Sequence, residues 1–281
     1  MPPPVPKFSP FAQNPATVRL AGATVSEPFV EMTLRLCAAF GQPTQVPESG
    51  VYVFPQGKYH WADSVYAVEP DATAASYFLA LPIATAARIR IDGLSSASLQ
   101  GDVAFAQILQ SLGLPLHATD SGWEVSAAKE KLPGGDFDFN AISDTFLTLA
   151  ALAPLLSSPL TIRGIAHARR QETDRLLAMA QELGKLGQRV EPAPEALRAD
   201  PSIGHFTIFP DRAALRERSA QAPVSIHTYE DHRVAMSFGI LGSHDLHGDG
   251  RAWLQIEDPG CCGKTFPDFF AVLEKLRQPA A

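Results

Sequence analysis

Three glycines at one fixed interval constrain this chain more than any other feature. Gly22, Gly93 and Gly164 stand 71 residues apart, and each closes a short apolar run: Val18-Arg-Leu-Ala-Gly22, Ile89-Arg-Ile-Asp-Gly93 and Leu160-Thr-Ile-Arg-Gly164. A second set, Gly41, Gly113 and Gly187, closes the segments that follow, 72 and 74 residues apart. A fixed period of this kind marks a repeated supersecondary unit. Each unit reads strand, glycine turn, helix, glycine stop, strand. Gly41, Gly113 and Gly187 suit the left-handed position that closes a helix.

The helices between those glycines are amphipathic. Phe105, Ile108, Leu109 and Leu112 form one apolar stripe, and Leu176, Met179, Ala180 and Leu183 another. Such stripes are core packing and carry no chemistry. A second kind of helix precedes the later strands, over residues 74–84, 144–156 and 232–241. These are apolar nearly all round, which predicts burial on several sides. The fold class is therefore α/β, built from repeated helix-strand units. The first unit lacks its leading helix, because residues 1–16 are rich in proline and polar residues. The last unit has its second helix, near 267–276, and no closing strand. A repeat cut at both ends predicts a larger parent or a partner, with unusual caps as the alternative.

Composition narrows the function. The chain has 281 residues, 46% of them apolar, enough for one or two sizeable cores. Its net charge of −7 makes nucleic acid a poor partner and leaves small anions open, since a few local cations can override the balance. Cys37, Cys261 and Cys262 give neither a disulfide framework nor a metal-ligand spacing. No apolar run reaches membrane-span length and no signal segment opens the chain, so a cytoplasmic protein without a membrane partner is expected.

Four polar clusters sit where the units turn. Arg169-Arg-Gln-Glu-Thr-Asp-Arg175 opens the third amphipathic helix, placing Glu172 and Arg175 three apart on one face. A helix start with added arginine suits a phosphate or carboxylate, and it equally suits a solvated ion pair. Tyr229-Glu-Asp-His-Arg233 precedes a buried helix that Asp231 can cap. The helix dipole disfavours Arg233 there unless an anion is also present. Asp144 opens another buried helix, as an N-cap or as a carboxylate in a semi-buried cleft suited to general-base work. Lys264 lies in the glycine-flanked loop Gly260-Cys-Cys-Gly-Lys264, which lacks P-loop spacing; it is a surface lysine or an anion contact. Three cations and two carboxylates at equivalent helix starts suit an enzyme acting on a polyanionic small molecule.

Six strings in order now resemble the EPSP synthase family: Ser26-Glu-Pro-Phe-Val-Glu-Met-Thr-Leu34, Asp71-Ala-Thr-Ala-Ala-Ser-Tyr-Phe-Leu79, Ser143-Asp-Thr-Phe-Leu147, Gly164-Ile-Ala-His-Ala-Arg169 with Glu172-Thr-Asp-Arg-Leu176, Asp231-His-Arg-Val-Ala-Met236, and Lys264-Thr-Phe-Pro-Asp-Phe-Phe270. The resemblance covers about residue 17 to the end. It implies an inside-out α/β barrel of repeated units, incomplete here. Residues 1–66 would belong to one domain and 67–281 to the other. It implies enolpyruvyl transfer from phosphoenolpyruvate to shikimate 3-phosphate between the domains, with no cofactor and no metal. Matched by position, Asp144 looks like the carboxylate that orients or deprotonates the attacking hydroxyl. Glu172 looks like a second carboxylate in proton transfer at the enol carbon. Arg175, Arg233 and Lys264 look like the phosphoenolpyruvate clamp, with Lys264 also a proton donor. Ser26, His167 and Gln171 fall on the shikimate side, where Phe29, His167 and Gln171 depart from the family's common Tyr, Asn and Lys. The family's N-terminal Lys-Ser and Arg, its Asn-Ala-Gly-Thr loop, a further phosphoenolpyruvate-binding Arg and its Ser-Ser-Gln motif are expected upstream of residue 1. The chain is thus expected to be an incomplete enzyme, with two alternatives: half of a split enzyme whose N-terminal half comes in trans, or a non-catalytic binding module.

Overall fold

The computed structural model describes residues 12–21 and 27–277. The period seen in the sequence is a period of topology. The first unit holds β1 (Ala16–Arg19), α1 (Glu27–Ala39), β2 (Gln45–Glu48) and β3 (Val51–Phe54). After α2 (Ala72–Ala84), the second holds β4 (Arg88–Asp92), α3 (Phe105–Ser111), β5 (Leu116–Ala118) and β6 (Gly122–Ser126). The third begins with β7 (Gly135–Asp138) and α4 (Phe146–Leu152). It continues through β8 (Leu160–Arg163), α5 (Arg175–Lys185), β9 (Arg189–Glu191), α6 (Pro194–Ala199), β10 (Phe206–Phe209) and α7 (Arg212–Arg218). The last holds β11 (Val224–Ile226), α8 (His232–Gly242), β12 (Leu254–Ile256) and α9 (Phe269–Arg277).

Three sheets share one antiparallel strand order: β1-β3-β2, β4-β6-β5 and, within the third, β8-β10-β9. Strand β7 adds to the third sheet in parallel with β8, and β11 pairs β12 in parallel in the same way. Both parallel pairs are joined through a buried helix, the connection that a parallel pair requires. Register follows burial: Ile89 faces Val125 and Ile162 faces Phe206, all four in the core.

Helices α2, α4 and α8 pack on one another at the centre. All seven residues of α4 are buried, nine of the eleven in α8 and ten of the thirteen in α2. A helix with no polar face has nowhere else to go, so the strands lie outside and the helices inside. The sheets of the described residues stay separate, with two to four strands each, around the buried helices, an α/β arrangement. The helix expected over 144–156 is α for Phe146–Leu152 and 3-10 for Ala153–Leu155, because Pro154 has no N–H to continue the ladder.

All five of the described repeat glycines have positive φ, from 76° at Gly41 to 93° at Gly113. One contiguous core runs from Ala72 to Leu273. The first unit has a separate small cluster, in which Phe40, Trp61 and Tyr66 stack within 4.9–5.1 Å of one another. Helix α1 touches the second unit closely. Arg35 Nη2 donates to the Ala97 carbonyl at 3.3 Å, and a Cβ on Gly101 would lie 2.4 Å from Pro28 Cβ.

Candidate functional site

The site grows from three chain segments that enter helices side by side. Helix α5 begins at Arg175, later than the Arg169 start expected. Ala166–Arg170 form a 3-10 turn, and Asp174 caps α5 by accepting from Leu177 N at 3.1 Å. Arg169, buried, donates to Asp174 at 2.8 Å and to the Asp200 carbonyl at 2.6 Å, so it bolts this entry in place. Glu172 therefore lies in the loop before the helix and not on its first turn.

Arg175 joins the segments. Its side chain is 1% exposed and ends among three carboxylates. Nη1 donates to Asp144 Oδ1 at 2.9 Å, Nη2 to Glu172 Oε2 at 2.6 Å, and Nε to Asp231 Oδ2 at 2.7 Å. Gln171 Oε1 also accepts from Nη1, while Gln171 Nε2 donates to Asp144 Oδ1 at 3.3 Å. Arg233 reaches the other Asp144 oxygen through Nη2 at 2.9 Å. Lys264 pairs with Glu172 Oε1. Three cations and three carboxylates thus form one network. Of the two open readings of Asp144, the cap is excluded. Thr145 stands at the cap position of α4 without a side-chain bond, and Asp144 takes its bonds from the two arginines and Gln171.

The field is uneven across this network. Burial works against the charge on Glu172, but the Lys264 ammonium and the Arg175 guanidinium outweigh it and bring the carboxyl down to about 2. Burial likewise opposes the charge on Arg233. The neighbouring Tyr77 oxygen and the Asp144 and Asp102 carboxylates still hold it above the ordinary guanidinium value. Next to it, burial and the charge of Arg233 lower the pKa of the His232 imidazole. Arg233 Nε and both His232 nitrogens are buried without a hydrogen-bond partner among the described residues. A buried donor such as Arg233 Nε is costly to leave unpaired, so it points to a site that takes an acceptor.

The other expected residues divide. His167 Nε2 contacts Ser143 Oγ at 2.8 Å, beside Asp144 in sequence, and burial lowers its pKa. His167 also lines an open cleft of about 360 Å³ with Asn140 and His205. Ser26 lies outside the described residues. A cavity of about 430 Å³ is lined by Phe29, Met32, Thr73 and Asp102 and holds none of the charged network. This cavity lies between α1 and the second unit and is lined mainly by apolar side chains, with the carboxylates Glu69, Asp71 and Asp102 on its wall and no cation to hold an anion. Three nearby groups escaped sequence reasoning as site members. Asp231 was read only as a cap, which it also is, accepting from Arg233 N at 2.8 Å. Tyr77 and Asp102 are buried beside Arg233, and nothing in local spacing signals them. Among the described residues no group of three His, Cys, Asp or Glu could hold a metal ion, and no helix is long and apolar enough to cross a membrane.

Against known proteins, the family model described as EPSP synthase (3-phosphoshikimate 1-carboxyvinyltransferase) matches residues 8–273. A relative from Opitutus terrae, named 3-phosphoshikimate 1-carboxyvinyltransferase, is 46% identical over 253 residues, 89% of this chain and 52% of its own length. One of the same name from Nostoc punctiforme is 39% identical over 94% of this chain and 56% of its own. The chain spans about half the length of the curated relatives it matches. The matches lend no support to a separate half supplied in trans. Two solved structures share the fold. An EPSP synthase from Acinetobacter baumannii has TM-score 0.72 and 18% identity, over 95% of this chain and 58% of that one. An enolpyruvyl transferase from Streptomyces tendae has TM-score 0.63 and 15% identity, over 96% and 57%.

Proposed function

Because this chain belongs to the EPSP synthase family, we propose that its charged network is the phosphoenolpyruvate side of a site for enolpyruvyl transfer to shikimate 3-phosphate. The observation that carries the proposal is the convergence of Arg175, Arg233 and Lys264 on Asp144 and Glu172. Phosphoenolpyruvate carries a phosphate and a carboxylate, and forked guanidinium donors match both. The orphaned Arg233 Nε offers one further donor. Residues 1–66 form part of one domain and 67–281 most of the other, with substrates between them.

The reaction replaces phosphate by a ring hydroxyl on an unsaturated carbon. The hydroxyl must lose a proton, and the neighbouring carbon must gain one and later give it back. Two carboxylates in unlike settings and a nearby ammonium suit these steps. Asp144, held by both arginines, orients the hydroxyl and takes its proton. Lys264 delivers a proton to the enol carbon, and Glu172, ionised beside it, receives the proton when the double bond re-forms. The two guanidiniums stand fixed where charge gathers on the departing phosphate, which is where preorganised cations lower a barrier. His167 and Gln171 border the shikimate side, with Ser26 a contact to the shikimate phosphate.

Calorimetric titration with phosphoenolpyruvate in the presence of shikimate 3-phosphate tests this reading. Saturable binding is expected, weakened roughly ten- to a hundredfold in Lys264→Met and in Arg233→Met, the worth of a charge-assisted hydrogen bond. A folded chain that binds neither substrate would overturn it and favour a binding module of another kind.

A further inference from the structure

We infer that Glu182 and Tyr229 are positioning residues for the Arg175 guanidinium, fastening a strained turn to helix α5 so that Asp231 meets Arg175. The inference rests on reading the network as a phosphoenolpyruvate clamp, although its geometry stands independently of that reading.

Glu182 lies seven residues after Arg175 on α5, two helical turns along the same face. Its side chain is fully buried, yet it is a carboxylate and belongs to no part of the proposed chemistry. Three groups hold it. Tyr229 Oη donates to Oε1 at 2.6 Å, the His227 backbone N–H donates to Oε2 at 3.1 Å, and Lys185 Nζ pairs with Oε2 at 2.7 Å. Two of those three donors belong to the turn 227–231. Within that turn Tyr229 and Glu230 have φ of 56° and 57°, the left-handed region, although neither is glycine. Consecutive side-chain-bearing residues persist there only where their surroundings over-determine them. The turn ends at Asp231, whose Oδ2 accepts from Arg175 Nε at 2.7 Å and whose Oδ1 caps α8 just before Arg233. One face of α5 therefore grips the turn at both ends: Glu182 holds its beginning and middle, and Arg175 its end. Release at Glu182 lets the turn relax toward ordinary φ values. Asp231 then leaves the line that aims both arginines.

The test compares three variants with the unaltered chain by two measurements: hydrogen exchange at Arg175 Nε–H by NMR, and phosphoenolpyruvate affinity by calorimetry. Tyr229→Phe keeps the ring and removes one donor. It is expected to speed Arg175 Nε–H exchange and to weaken phosphoenolpyruvate about tenfold. Glu182→Gln keeps an acceptor oxygen and is expected to fall between Tyr229→Phe and the unaltered chain. Lys185→Met breaks the ion pair without touching the turn and is expected to leave both readouts unchanged, though it lowers the melting temperature. The inference is overturned if Tyr229→Phe leaves both readouts at the starting values, or if Lys185→Met moves them as far. If the unaltered chain binds no phosphoenolpyruvate while exchange responds in the stated order, the positioning role stands and the clamp reading falls.

Discussion

At the scale of single residues, Asp231 concentrates most consequence in fewest atoms. It is fully buried, holds Arg175 chiefly through Oδ2 and caps α8 through Oδ1, which Arg175 Nη2 also reaches at 3.4 Å. Removing one partner of a buried pair leaves the remaining charge desolvated and uncompensated, at a cost of about 3–5 kcal/mol. Losing the cap adds about 1 kcal/mol. Asp231→Ala is therefore expected to lose most of a typical domain's stability in urea unfolding, and Asp231→Asn, which keeps shape and an acceptor, clearly less. An equal small loss in both would mean that Asp144 and Glu172 suffice for Arg175. The cap was legible from the string Asp-His-Arg, because capping is local. The ion pair was not legible, because it spans 56 residues and only the fold brings its ends together. Asp144 stayed open in the sequence, because a place before a buried helix suits a cap and a cleft carboxylate alike; Arg175 and Arg233, far off in the chain, claim both its oxygens.

At the scale of elements, a repeat glycine and an ordinary helix glycine are held by different constraints, and substitution separates them. Gly164 ends β8 at φ 78°, and a Cβ there would lie 2.3 Å from Asp138 Oδ1 and 2.9 Å from Asn140 N. Gly164→Ala meets both the wrong backbone region and a clash, and it is expected to cost at least about 2 kcal/mol. Gly184 sits on the exposed side of α5 with nothing within 4 Å of such a Cβ. Gly184→Ala is expected to raise stability by roughly 0.5–1 kcal/mol through helix propensity. Thermal melts of the two variants should shift in opposite directions; a rise in both would mean that Gly164 is not constrained. The repeat glycines were readable because a left-handed residue and a tight turn select glycine at fixed positions. Helix ends were less readable: α5 starts six residues later than Arg169 because Asp174 takes the cap. Helices α6 and α7 have six and seven residues, too few to show a period.

At the scale of the whole molecule, two carboxyls, a half-exposed Glu172 and a buried Asp102, pull stability in opposite directions with pH. Glu172 titrates near 4.5 when unfolded and about 2 when folded, so its contribution is full above 4.5 and is lost as pH falls toward 2. Asp102 is the reverse. Burial, outweighing the hydrogen bond from Thr73, raises it from 3.8 to about 6. Its contribution is present below 3.8 and is lost as pH rises through 6, on the order of 3 kcal/mol. Between 3.8 and 4.5 the two partly cancel, so unfolding free energy should be nearly flat there as far as these groups decide it. Asp102→Asn removes only the second slope. Compared with the unaltered chain, it should gain stability steadily from pH 4 to pH 7 and show no change in the acid limb below 4. Glu172→Gln should instead flatten the acid limb and leave the rise of pH through 6 untouched. Urea denaturation at half-unit pH steps separates the two patterns. If Asp102→Asn showed no pH-dependent gain, the Asp102 carboxyl would ionise in the folded chain as it does in water. Between pH 4 and pH 6 one more negative charge would then stand beside Arg233, which bears directly on how strongly that guanidinium can hold an anion in that range.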